Sequence, residues 1–253
     1  MQPLARGAVV PAGGEAQVTR LRKEVKILSP KGAAHSASLR ENLPDGASVR
    51  TGIDSQSEVT FADHTLARLA AQTVFAFNDG THAMDLEKGA MLVRAPGSAH
   101  GAEIRAAGVT VAVAGTTCLL EHNAGKYVKL MVLEGTARMF LKTSVGESVL
   151  VNEGQLLMFH LGPKLSSLPN PVDVDIKRMM ATSKLIQGFA PLGSESSIAR
   201  GIAEQKQEKT KGALVDTNLV IFGRGTVVSL VEPAAASPSP SPPKQSRRAR
   251  NQR

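Results

Sequence analysis

The sequence predicts a mainly β protein, an antiparallel β-sandwich or barrel-like domain followed by a small α+β C-terminal extension. Three observations carry this reading. Between Val49 and Leu156, short segments rich in Val, Thr, Leu and Phe are separated by breaks containing Gly or Asp, the residues an antiparallel sheet needs at its turns. Several segments show the period of two that buries one strand face, most cleanly at Val109, Val111 and Val113. Helical spacing enters only after Pro171.

Taken in order, residues 1–15 read as disordered or as a remnant of a signal peptide, and strand character begins near Val18. Val25-Lys26-Ile27-Leu28 is followed by a Ser29-Pro30-Lys31-Gly32 turn. Glu58-Val59-Thr60-Phe61 alternates, turns at Asp63-His64 and continues through Thr65 to Leu69. Phe75 and Phe77 alternate before Asn78-Asp79-Gly80; Val109 to Val113 closes at Gly115; Val128, Leu130 and Val132 interleave with Lys129 and Met131 before Glu134-Gly135. Ala137, Met139 and Leu141 precede Val149 and Val151, which end at Asn152-Glu153-Gly154. Strands at this spacing define one all-β domain over residues 16–165.

Residues 170–232 read as a helical segment plus a β-hairpin. Asp173 and Asp175 fall where a helix's first turn favours acids, Ile176, Met179 and Met180 follow at helical spacing, and Gly188 marks a stop. Ser194 caps a second helix carrying Ile198 and Ile202. Asn218 to Phe222 and Thr226 to Val231 flank Gly223-Arg224-Gly225 as a hairpin. Residues 233–253 are a disordered Pro/Ser linker and a basic tail.

Composition narrows the chemistry. With 253 residues, 42% of them hydrophobic, the chain can bury a substantial core. Aromatics are only 3%, with no Trp and one Tyr, so the core is aliphatic and ring stacking on sugars or bases is poorly provided for. Five of the eight net positive charges sit on Lys244, Arg247, Arg248, Arg250 and Arg253, leaving the rest only mildly basic, which argues against a nucleic-acid footprint on the folded part. The single cysteine, Cys118, allows no intrachain disulfide and reads as a small core residue. No stretch is long and apolar enough for a transmembrane segment. Ala8 to Gly14 has the small-residue flavour of a signal cleavage region, consistent with a start inside a longer secretory signal.

Thr51-Gly52, Ser55 to Val59, Asp63-His64-Thr65, Leu86 to Gly89, Gly115-Thr116, Glu134-Gly135 and Gly154-Gln155 fall in an ordered series. Over about residues 16–160 that series resembles the FecR domain, the periplasmic part of bacterial iron-uptake sigma regulators that also occurs alone in envelope proteins. His64 stands where that family has Gly in its Asp-Gly-Thr turn. Residues 172–230 resemble an extension on stand-alone FecR proteins. The resemblance implies a periplasmic or cell-envelope protein that is not an enzyme, needs no cofactor and acts on an envelope protein partner. It makes Thr51, Gly52, Asp63, Thr65, Gly89, Gly115, Thr116, Gly135 and Gly154 structural turn positions. The sequence lacks the N-terminal helices and membrane span of a sigma regulator, so the expectation is a stand-alone binding or signal-relay module.

Sharper chemistry finds little support in the residues. His35, His64, His82, His100, His122 and His160 are scattered without metal-ligand spacing and read as surface or turn residues. Asp63, Glu121 and Glu134 are the carboxylates from which a glycosidase-type pair would be drawn, but Asp63 and Glu134 sit where turn carboxylates bond backbone amides. The tail cations Lys244, Arg247, Arg248, Arg250 and Arg253 are the possible contacts to an anionic partner. They define the alternative function, a protein associated with nucleic acid or another anionic polymer through its basic tail.

Overall fold

A computed structural model describes residues 16–30, 32–78, 83–98, 101–144, 146–162, 165–210, 217–219 and 228–230. The strands among them are Ala16–Arg22 (β1), Val25–Leu28 (β2), His35–Ser36 (β3), Asn42–Leu43 (β4), Ser48–Thr51 (β5), Gln56–Thr60 (β6), Leu66–Leu69 (β7) and Val74–Asn78 (β8). The long Ala83–Ala95 (β9) follows, then Ala102–Ala106 (β10), Val109–Val113 (β11), Thr116–Asn123 (β12), Tyr127–Glu134 (β13) and Thr136–Leu141 (β14). Ser148–Asn152 (β15), Gln155–His160 (β16) and Val172–Asp173 (β17) complete the sheets. Helices Ile176–Thr182 (α1), Lys184–Gln187 (α2) and Glu195–Thr210 (α3) come next, and Thr217–Leu219 (β18) pairs antiparallel with Val228–Leu230 (β19).

The chain is mainly β, and its strands form two layers that share β9. The first sheet runs β4-β1-β6-β7-β9-β12-β13-β16-β17, and the second runs β3-β2-β5-β8-β9-β10-β11-β14-β15. β9 pairs with β8 as far as Lys88 and with β7 from Met91, so it leaves one sheet and enters the other around Gly89. Gly89 has φ +98, and a Cβ there would lie 2.5 Å from Thr73 Cα; only glycine fits this crossing. The pairing is antiparallel except between β9 and β10, which are parallel. That exception to an all-antiparallel sheet follows from the crossing. β9 ends in the first sheet, so the chain returns to the second by a crossover and not by a hairpin.

Between the sheets lies the larger core. Val18, Val59, Val93, Leu120 and Val132 from the first sheet meet Ile27, Val49, Phe75, Ile104, Val111 and Met139 from the second. The outer face of the first sheet is also covered. Leu92, Leu119, Met131, Leu133 and Leu156 pack against Val174, Ile176, Met179, Leu185, Leu192 and Ile198 of the C-terminal segment. β12 and β13 are therefore buried on both faces along almost their whole length, which explains why Leu119, Met131 and Leu133 are apolar on the face turned away from the sandwich.

Arg68 ties the helical layer to the sheet and is 1% exposed. Its Nε donates to Glu58 at 2.9 Å, Nη1 to the Leu185 carbonyl at 3.1 Å and Nη2 to the Ala190 carbonyl at 2.6 Å. The guanidinium lies 4.8 Å from the Phe189 ring centroid. A buried cation is tolerated because its donors are matched in this way.

The helices differ in detail from the sequence reading. α1 begins at Ile176; Asp175 is its N-cap, accepting from the Arg178 amide at 3.0 Å, and Asp173 lies in β17. Both acids thus precede the first turn, because the Asp175 side chain replaces a missing intrahelical acceptor. Ser183 interrupts the helical run, and Gly188 ends α2. Ser194 precedes α3 and accepts the Ile198 amide on its carbonyl at 3.0 Å.

Candidate functional site

The sheet ends differ in how they are protected. β3 and β17 are two residues long, and the part of β1 beyond its pairing with β4 carries Arg20 and Arg22. Short length and charge are two ways in which proteins blunt an edge against further pairing. β15 has neither. Its sequence, Ser148-Val149-Leu150-Val151-Asn152, is uncharged, and on one side it pairs with β14.

Its pairing phase shows which groups are left over. The Leu141 amide donates to the Glu147 carbonyl at 3.1 Å, while the Asn152 amide donates to the side chain of Gln155 at 3.0 Å. The odd-numbered residues of this strand thus bond to β14, and Ser148 and Leu150 turn their amides and carbonyls outward. Among the described residues no backbone group pairs with them. Val149 and Val151 point into the sandwich, and Leu150 lies outside, opposite Arg138, with Phe140 on the same face opposite Ser148. Phe140 and Leu150 are exposed by 39% and 42%, and Arg138 Nη1 donates to the Ser148 hydroxyl between them at 3.3 Å. The result is an open strand edge beside an apolar, partly cationic lip. It can add a strand, with backbone bonds giving affinity and Phe140, Leu150 and Arg138 reading side chains.

The positions singled out in the sequence lie elsewhere, in two groups and two isolated turns. Thr51, Gly52 and Gly89 meet around Thr73. The Thr51 hydroxyl donates to the Ala70 carbonyl at 2.6 Å and accepts the Thr73 amide at 2.9 Å, and the Thr73 hydroxyl donates to the Ala90 carbonyl at 3.1 Å. The Gly52 carbonyl accepts the Gln72 amide at 3.0 Å. Gly115, Thr116 and Gly135 form the second group. A Cβ on Gly135 would strike the Gly115 carbonyl, and the Thr116 hydroxyl donates to the Thr136 carbonyl at 2.6 Å. Asp63 accepts the Thr65 amide at 2.8 Å and its hydroxyl at 2.9 Å, with His64 at φ 66, so the turn keeps a left-handed residue without glycine. Gly154, at φ 74, donates its amide to Val132. The side chains of Thr51, Asp63 and Thr116 hold backbone, and the Thr65 hydroxyl holds the Asp63 carboxylate.

The three carboxylates do not converge. Glu134 accepts from the Thr117 hydroxyl at 2.8 Å, and Glu121 lies four residues further along β12, about 13 Å at strand rise. That exceeds the spacing of glycosidase pairs. Glu121 instead forms a buried ion pair with Lys129 at 2.6 Å and accepts the Tyr127 hydroxyl at 2.7 Å. Burial lowers the Lys129 ammonium from its ordinary value, with Glu121 opposing it. His122 differs from the surface expectation: it is buried, with Nδ1 3.2 Å from the Leu86 carbonyl, because β12 is covered on both faces. His35 lies exposed 2.6 Å from Glu41, and His160 is exposed at the end of β16. Among the described residues no three His, Cys, Asp or Glu side chains are grouped to hold a metal. His82, His100, Gly223-Arg224-Gly225 and the tail residues Lys244, Arg247, Arg248, Arg250 and Arg253 lie outside the described residues, as do residues 1–15.

Residues 47–138 match the model of the FecR protein family. The FecR match begins just before β5 and ends within β14, narrower than the resemblance read from the motifs. β1 to β4 and β15 to β17 complete the two sheets around it. Two crystal structures of a candidate anti-sigma factor from Parabacteroides distasonis are similar in fold, with TM-scores of 0.45 and 0.44 at 13% and 14% identity. Each alignment covers 53% of this chain and 63% or 62% of the other, so this chain spans less than two thirds of either. No curated protein matches the chain.

Proposed function

We propose that this chain is a non-catalytic, protein-binding module of the bacterial cell envelope, which relays a signal by taking a strand of a partner protein onto the open edge of β15. The observation that carries the reading is that edge, with the backbone groups of Ser148 and Leu150 facing outward and unpaired among the described residues, beside exposed Phe140 and with no charge along the strand. The FecR match supports a regulatory role and an envelope location, since that family is one of envelope-associated regulators. Among the described residues no helix is long and apolar enough to cross a membrane. Asp63 and Glu121 spend both carboxylate oxygens, and Glu134 one of them, on groups within the fold, which supports the non-catalytic reading.

The test is site-specific photo-crosslinking in the native bacterium. A benzophenone side chain in place of Leu150 is expected to yield a discrete adduct with one protein. The same probe in place of Leu39, which is 59% exposed but lies outside any strand, is expected to yield none. No adduct from position 150, or the same pattern from both positions, would sink the reading.

A further inference from the structure

The outer face of the second sheet carries a row of cations at the end away from β15. Lys26 of β2 stands opposite Arg50 of β5, Arg50 opposite Val74 of β8, and Val74 opposite Lys88 of β9. With strands about 4.8 Å apart, the row spans about 14 Å. Like charges directly opposite one another destabilise a sheet, and the register sets Lys26 against Arg50 in this way. Glu24 compensates at one end only, with Oε1 3.0 Å from Lys26 Nζ. Arg50 and Lys88 form no ion pair or side-chain hydrogen bond among the described residues. The three cations line a groove of about 340 Å³ together with Glu24, Gln72 and Ile53. Large apolar side chains flank the row, Ile53 69% exposed and Leu28 51% exposed.

We propose that this groove docks an extended acidic segment of a partner polypeptide, its carboxylates on Lys26, Arg50 and Lys88 and its apolar side chains against Leu28 and Ile53. Charge complementarity selects an acidic ligand, and the length of the row fits an extended chain. Alternate side chains of a strand recur at about 6.8 Å, so acids at three successive alternate positions span about 14 Å. The apolar flanks favour a peptide over a phosphate polymer, and no aromatic lines the groove on which a base would stack. This surface lies at the opposite end of the sheet from the β15 edge and does not depend on strand addition there.

The test measures binding of the full chain to a fluorescent peptide with three Asp at alternate positions, Ser between them, and a Leu two residues beyond each end, so that the acids and the leucines share one face of the extended peptide. Saturable binding is expected, weakening as added salt shortens the Debye length below about 10 Å. The double variant R50E/K88E is expected to bind at least about tenfold more weakly, while Leu150→Lys binds as wild type. Arg50→Gln with Lys88→Gln is expected to raise the melting temperature of the free protein, because the repulsion is relieved. The proposal is overturned by no binding, by equal binding of the peptide with Asn for Asp, or by wild-type affinity in the R50E/K88E chain. A lower melting temperature in the Gln variant overturns it too. Tighter binding of polyphosphate or a DNA oligomer overturns it in favour of a phosphate polymer. Loss of binding in Leu150→Lys overturns it in favour of strand addition at β15.

Discussion

Cys118 shows how burial decides the role of a single residue. It is 0% exposed in the core between the sheets, and burial pushes its thiol up to about 12. Thiolate is the reactive form, so native protein is expected to resist iodoacetamide at mildly alkaline pH, where an ordinary thiol of pKa about 8.5 reacts. Modification should become complete in denaturant; rapid labelling of the native chain would contradict this placement. The core role was legible from an apolar run with no histidine partner beside the cysteine. Arg68 was not legible. Its partners Leu185 and Ala190 lie more than a hundred positions away, and nothing around Arg68 in sequence separates it from a solvent-facing strand arginine.

At the scale of elements, turns and alternation were readable because they are local, whereas neighbours across a sheet are not. The resemblance set Gly89 among the turn positions, yet the chain runs through it as β9 and changes sheet. The backbone there needs φ +98 and a close approach to Thr73. Gly125 offers a control, with φ +74 and nothing within 4 Å of where a Cβ would lie. Gly125→Ala is expected to cost about 1 kcal/mol for the left-handed backbone alone. Gly89→Ala is expected to cost about 3 kcal/mol or more, because the clash with Thr73 adds to that strain. Urea unfolding of both variants measures the difference, and equal costs would remove the steric account of the crossing. The β15 edge was hidden for the same reason. Val149 and Val151 announced a strand, but that it has no second neighbour among the described residues depends on the order of all the others.

For the whole molecule, three layers stack as second sheet, first sheet and C-terminal helices. The apolar residues on both faces of β12 and β13 were the sequence trace of that third layer, although alternation elsewhere pointed to only two. The stacking buries the first sheet on both sides, and among the described residues nothing covers the outer face and far edge of the second sheet. The most direct measurement is amide hydrogen exchange along β15, in the isolated chain and in the non-covalent complex of the wild-type chain with the partner identified through position 150. The account predicts that Ser148 and Leu150 exchange rapidly in the isolated chain while Val149 and Val151 are protected, and that all four are protected in the complex. Protection of Ser148 and Leu150 in the isolated chain, or their continued rapid exchange in the complex, would contradict it.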